Sequence, residues 1–297
     1  MAGGQERILR RRIKSVQATR KITKAMELIA ASQISRAQAR IAANRPYRAG
    51  MRRIILAAAE GDPRAAATML GVPEKVETAV VIAIVGDRGL SGAYNSSVLR
   101  ATERLVTDLG RQGTQVRLIS VGKKAPAYFR FRGLTLQRNF QGFADRPEFA
   151  DAREIAAVAA APFVSGEAQQ VLLVSMNFVS GASQKVVTRQ LLPLVTDGVV
   201  VADAPAGTKG YTEFEPDVEQ LLVELAPKAL ESEIFTALLE GAASFHTSQQ
   251  RAMAAATDNA DELGRNLTRI MNRARQDSIT TEIMEIVGGA EALRSGK

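Results

Sequence analysis

Cysteine and tryptophan are absent from the 297 residues, and histidine occurs once, as His246. The missing thiols remove disulfides, thiolate nucleophiles, cysteine-based zinc sites and iron–sulfur clusters together, and leave any metal to oxygen ligands. Long apolar runs are missing too. No stretch reaches the roughly 20 residues that cross a bilayer, and residues 1–20 are basic without the apolar segment of a secretory signal. The expectation is a soluble, intracellular chain. With 46 % apolar and 24 % charged residues the composition is that of a globular protein with a sizeable core, long enough for one or two domains.

Acidic side chains are nearly missing from one end. Residues 1–53 hold fourteen Lys and Arg against Glu6 and Glu27, whereas the other 244 residues hold 25 basic and 29 acidic groups. The net charge of +8 therefore belongs to the N-terminal segment and not to the whole molecule. Such a segment implies a local acidic partner, and nucleic acid, anionic lipid and an acidic protein surface all fit it.

From about Gln5 to Ala58 the chain is rich in Ala, Arg, Lys, Gln and Ile, with Pro46 and Gly50 its only obvious helix disruptors. Ile8, Ser15, Ala18, Ile22, Ala25, Ile29, Ser32 and Ala39 step by threes and fours and read as a seam of mostly small side chains, with Arg11 and Arg36 on the same line. Met26, Ala30, Ile34, Ala37 and Ile41 form a second line beside it. Some fifty residues of helix make a rod of roughly 80 Å. After Pro227 no further proline interrupts a second helical stretch to about Val287, in which Met253, Ala256, Ala260, Leu263, Leu267, Ile270 and Ala274 repeat as a heptad seam. A helix of about sixty residues, ~90 Å long, is too long for a 300-residue globule to cover.

Between the rods, apolar β-branched runs alternate with helical ones: Thr78–Val85, Val116–Val121, Gln170–Met176 and Gln184–Leu192 read as strands, and Ser96–Leu109, Lys123–Phe131 and Ala152–Ala161 as helices. This predicts βαβ units and a largely parallel sheet covered on both faces. The fold class is thus α/β plus an all-α coiled coil: residues 1–58 form its N-terminal helix, 59–76 a linker, 77–215 an inserted Rossmann-like α/β domain, and 216–297 the C-terminal helix.

Candidate chemistry is thin. Gly86-Asp87-Arg88-Gly89-Leu90-Ser91-Gly92 follows a strand and opens a helix, where an α/β protein would take a phosphate. Its G-x-x-G-x-x-G spacing is not the dinucleotide fingerprint, and Ala93-Tyr94-Asn95 replaces the Lys-Ser/Thr of a Walker loop. A structural turn accounts for the glycines. His246 has no nucleophile motif beside it, and Glu282 and Glu285 read as a solvated or partner-facing pair rather than catalytic acids. A nucleotide-dependent enzyme and a nucleic-acid-binding coiled coil are the rival classes, the second with Tyr47 as its lone aromatic in the basic segment. No catalytic residue, cofactor or metal site is expected.

The string Ile279-Thr280-Thr281-Glu282-Ile283-Met284-Glu285-Ile286-Val287-Gly288-Gly289-Ala290-Glu291-Ala292 closely resembles the signature of the γ subunits of F-type ATP synthases. Lys21-Ile22-Thr23-Lys24-Ala25-Met26 with Ala30-Ala31-Ser32, and Asp87 to Gly92 with Tyr94-Asn95, resemble that family in the same order, so the likeness spans the chain. It implies a non-catalytic central-stalk rotor, one copy per complex, standing in the hexamer of α and β subunits with its foot on the membrane c-ring beside the ε subunit. It implies also a place on the cytoplasmic face of a bacterial plasma membrane, since no targeting extension precedes Gln5. By the same resemblance Lys21, Lys24 and Met26 face the lower part of β, Arg251, Arg275 and Gln276 contact the hexamer, and Thr280, Glu282, Glu285, Ile286 and Val287 lie on the upper shaft. Thr196–Thr212 is short against the photosynthetic members, and without cysteine thiol control of rotation is excluded.

Overall fold

The computed structural model describes residues 2–61, 73, 75–194 and 217–295; most of the 59–76 linker and all of Thr196–Thr212 lie outside the described residues. Two helices carry the ends of the chain, α1 (Ala2–Gly61) and α5 (Val218–Ser295). Between them come β1 (Thr78–Ile84), α2 (Tyr94–Arg111), β2 (Gln115–Val121), α3 (Ala125–Phe131), β3 (Leu136–Phe140), α4 (Phe149–Val164), β4 (Gln170–Phe178) and β5 (Gln184–Leu192). The chain divides into two compact units, Met1–Ala30 with Gln250–Lys297, and Ala31–Gln249.

In the larger unit the sheet order is β3-β2-β1-β4-β5, parallel except for the β4–β5 pair. β1 is buried on both faces, as the unbroken apolar run predicts for a central parallel strand. Val80, Ile82 and Ile84 join one core with α4 (Ile155, Ala159) and α5 (Ile234, Leu238). Ala79, Val81 and Ala83 join the opposite core with α2 (Val98, Leu99) and α3 (Phe129). Phe245 of α5 belongs to that second core and packs against Gly86, so α5 crosses from one face of the sheet to the other past the carboxyl end of β1. Farther back, α1 and α5 pair antiparallel. Met51, Ile55 and Ala58 pack on Ala229, Asn44 donates to Thr236 at 2.8 Å, and Arg48 forks onto Glu233 at 2.8 and 2.9 Å.

The other unit is also an antiparallel pair: Thr23 meets Thr257 at 2.8 Å, Arg20 pairs with Asp261, and Val16 lies against Gly264. Two differences from the sequence expectation stand out. The strand β3 is unannounced by its mixed polar pattern, Leu-Gln-Arg-Asn-Phe, because it is an edge strand and only Phe140 is buried. Pro227 lies inside α5 instead of at its start, and Pro46 lies inside α1 as the sequence reading has it. Each proline and the residue four before it, Val223 and Ala42, face solvent, so water can take up the carbonyl that loses its N–H partner.

Candidate functional site

The first place to look is the crevice at the carboxyl ends of β1 and β4. There the strand order reverses, and open α/β sheets bind their ligands at such a point. In this chain the crevice is filled from within. A Cβ on Gly86 would lie 3.0 Å from the Phe245 ring, and Tyr94 packs edge-on against that ring with centroids 5.6 Å apart. The glycine-rich turn spends its polar groups on itself. Asn95 accepts the Gly86 N–H at 2.8 Å and donates to the Arg88 carbonyl at 2.9 Å. The Asp87 carboxylate accepts backbone N–H groups of Lys123, Gly142 and Ala144 at 3.0–3.1 Å, tying the loops after β1, β2 and β3 together. The turn is a seat for α5.

Beside it lies the one histidine. The Asp145 carbonyl, 3.2 Å from His246 Nε2, can only accept, so Nε2 carries the proton and Nδ1, buried without a partner, is a bare acceptor. Burial lowers the His246 pKa below its ordinary value, against the pull of Asp145. Burial likewise raises Asp145, despite its 2.9 Å pair with Arg88. Burial would raise Glu233 as well, but the bonds and charges of Arg48, with Arg52, hold it below the usual range. These are paired structural charges.

The second place is the outer surface of the terminal pair. Here the face assignment of the sequence analysis needs correcting. Ile8, Ser15, Ala18, Ile22, Ala25, Ile29, Ser32 and Ala39 are all exposed, with Ile22 and Ile29 each 61 % accessible. The side chains turned inward on α1 are Leu9, Ile13, Val16, Thr23 and Ala30, and of the second line Ala30 and Ala37 are buried while Met26, Ile34 and Ile41 are half-buried. On α5 the inward positions are Met253, Thr257, Ala260, Gly264, Leu267, Met271, Ala274 and Ser278, a 4-3-4-3-4-3-4 spacing. This set shares every seventh residue with the expected seam but replaces Ala256, Leu263 and Ile270 with small or flexible neighbours. Thr257 and Gly264 let the helices approach closely, and Leu263 and Ile270 are left outside.

Of the residues singled out by resemblance, Lys21 and Lys24 are exposed, with Lys24 paired to Glu27 at 3.0 Å, and Met26 is half-buried. Arg251, Arg275, Gln276, Thr280, Glu282, Glu285, Ile286 and Val287 all lie on the exposed surface of α5. Ile286 is 72 % accessible, and Ile279, Ile283, Met284 and Val287 share that exposure. The apolar side chains of the end of α5 thus have no cover among the described residues. Sequence reasoning passed over Arg265, Arg269 and Arg273, which line one flank of the pair together with Arg20. Their fourfold spacing was the available signal.

A family model described as ATP synthase matches residues 5–293. The ATP synthase gamma chain of Parafrankia sp. (strain EAN1pec) is 46 % identical over 297 residues, covering 99 % of both chains. That of Frankia casuarinae is 45 % identical with the same coverage, and that of Leifsonia xyli subsp. xyli 43 %. Among solved structures, a chain of the Euglena gracilis mitochondrial ATP synthase, OSCP/F1/c-ring in rotational state 3, aligns over 99 % of this chain and 96 % of its own with a TM-score of 0.70 at 18 % identity. A chain of the Tetrahymena thermophila mitochondrial ATP synthase central stalk and c-ring aligns over 79 % of this chain with a TM-score of 0.61 at 22 % identity. With full-length relatives at this identity and a family model spanning nearly every residue, the chain belongs to the γ chains of ATP synthase, a non-catalytic subunit of that complex.

Proposed function

We propose that this chain is the rotating shaft of an F-type ATP synthase, carrying torque between the ion-driven c-ring and the catalytic β subunits. One observation carries the reading: large apolar side chains stand on the outside of the terminal helix pair, where a free-standing protein would bury them. Ile8, Ile22 and Ile29 on α1, and Leu263, Ile270 and the Ile279–Val287 turns on α5, ask for a surrounding apolar sleeve. A hexamer of three α and three β subunits supplies one. The basic charge of α1 suits acidic surfaces on β through Lys21 and Lys24, with Met26 beside them, and the exposed Arg251, Arg275 and Gln276 of α5 contact the hexamer. In the same reading Thr280, Glu282, Glu285, Ile286 and Val287 bear on the top of the sleeve, and the α/β unit meets the ε subunit and the c-ring at the cytoplasmic face of a bacterial plasma membrane.

The mechanism follows from asymmetry. The pair presents different chemistry on its two flanks, cationic on one and apolar on the other, so each β subunit meets a different surface at each angle. A subunit whose conformations differ in how well they fit those surfaces is shifted from one to the next as the shaft turns. Because the crevice of the α/β unit is filled by Phe245, that unit is suited to a mechanical foot. The reading is tested by co-expressing the chain with α, β and ε and weighing the native assembly. One copy with three α and three β is expected, and Ile22→Asp with Ile29→Asp should abolish assembly while leaving the isolated chain helical. Assembly that persists unchanged in the double variant, or a chain that joins the hexamer in several copies, would overturn it.

A further inference from the structure

Residues 141–148 join β3 to α4 at the carboxyl pole of the sheet, where α5 passes Gly86, inside the unit Ala31–Gln249. The loop is anchored to the glycine-rich turn: Asp87 accepts the N–H groups of Gly142 and Ala144 at 3.0 Å, and Arg88 pairs with the Asp145 carboxylate at 2.9 Å. Toward the end helices it offers two backbone carbonyls, two residues apart, and each takes a donor from a different helix. The Asp145 carbonyl accepts the His246 Nε2–H of α5 at 3.2 Å, and the Pro147 carbonyl accepts the Arg40 guanidinium of α1. Pro147 is buried and Arg40 half-buried, so water has little access to that bond. The Pro147 ring fixes its own φ and biases Arg146 toward extended backbone, which limits the freedom of the stretch that carries both carbonyls.

We propose that this loop is the joint that sets the angle of the helix pair against the α/β domain, with Arg40 and His246 as positioning residues for coupled rotation. The inference rests on the shaft reading. Apolar packing of Ile234 and Leu238 on the sheet is non-directional, whereas a hydrogen bond weakens steeply when its donor tilts away. One such bond locates a point; two, made to neighbouring helices from one anchored segment, define an angle. The other described polar ties do less. Asn44 and Arg48 bond to Thr236 and Glu233, which hold α1 to α5 but not to the sheet, and Arg189 of β5 reaches Glu240 of α5 alone, at 2.7 Å. A fixed backbone carbonyl has no side-chain torsion through which to follow a moving donor. With both donors gone, the terminal pair can still turn in the hexamer during hydrolysis, but it passes less of each turn to the α/β domain.

Membrane vesicles carrying the assembled complex test this, through the ratio of proton pumping to ATP hydrolysis. In Arg40→Ala/His246→Phe hydrolysis should stay within about twofold of wild type while the ratio falls about threefold or more. Arg40→Lys/His246→Gln, in which each side chain keeps an N–H donor, should hold the ratio within about twofold of wild type. Arg153→Ala removes a 3.8 Å ion pair from α4 to Glu231 of α5, outside the loop, and should leave the ratio unchanged. If the donor-free double variant does not enter the complex, the ratio is read in Arg40→Ala and His246→Phe singly, and each should fall below Arg153→Ala. Four results overturn the joint and leave the shaft reading standing: an unchanged ratio without the donors, hydrolysis and pumping lost in equal proportion, an equal fall in Arg153→Ala, or no recovery in Arg40→Lys/His246→Gln. Wild-type vesicles whose complex hydrolyses ATP without pumping would remove the shaft reading and the joint with it.

Discussion

Gly122 is the residue on which the α/β unit is least forgiving. It follows β2 with φ +103°, and a Cβ there would come within 2.4 Å of the Val85 carbonyl oxygen and 2.8 Å of that of Gly86. Backbone, not a movable side chain, blocks the space. Gly122→Ala should therefore lower stability by about 2–4 kcal/mol, read as a fall in the urea midpoint at unchanged slope. His246 makes a different prediction. Its folded pKa is depressed by burial below 6.5, so just below that pH the unfolded chain binds a proton that the native state resists, and stability falls as the medium is acidified. Asp145 acts oppositely. Its raised pKa means that the native state holds a proton the unfolded chain has released, so stability falls as pH rises above 3.8 toward the folded value. The urea midpoint of the wild type should drop on moving from neutral pH to just below 6.5, and in His246→Gln that drop should vanish. An unchanged slope in the variant would assign the transition to another group.

At the scale of elements, the terminal helices show how two neighbouring stripes compete for one interface. The step of threes and fours was legible in both α1 and α5, and so was their pairing. Which stripe faces inward was not. The expected seams carry Ile22, Ile29, Leu263 and Ile270 among smaller residues, whereas the packed seam keeps Ala260 and takes Thr23, Thr257 and Gly264. Helical periodicity determines spacing but not azimuth, and small side chains win at a close helix pair because backbones can approach. The Thr23 and Thr257 hydroxyls lie 2.8 Å apart, and each also reaches a carbonyl of its own helix, so two protons serve three contacts. Thr257→Val should cost about 1 kcal/mol by removing the hydroxyl contact across the pair, since Thr23 keeps its bond to the Arg20 carbonyl, and the double variant Thr23→Val/Thr257→Val should cost less than the sum of the single changes. A thermodynamic cycle of denaturant midpoints checks this, and strict additivity would mean that the two hydroxyls do not interact.

For the whole molecule the question is how force passes through so many exposed contacts. A surface ion pair is worth at most about 1 kcal/mol and is screened over roughly 8 Å at physiological salt. In the shaft reading no single cation can then be indispensable. Lys24→Ala, which also breaks the pair to Glu27, should slow ATP-driven proton pumping in membrane vesicles by no more than about fivefold. Loss of pumping with the assembly intact would concentrate the torque at one residue and refute a distributed contact.

Much of this architecture needed no coordinates. The order of the other strands and helices, the glycine turn after β1, the presence of a long helix at each end and the concentration of positive charge in the first 53 residues all follow from local composition and period. Tertiary structure alone decided the rest. β3 was illegible because its burial comes from a neighbour and not from its own alternation. The filling of the crevice by Phe245 was illegible because Gly86 and Phe245 are 159 positions apart in sequence and meet only when α5 passes the carboxyl end of β1. The arginine-lined flank of the pair depends in the same way on two distant helices lying antiparallel in one register. Local preference sets what each segment becomes, while the face that each segment buries is settled by which other segment packs against it.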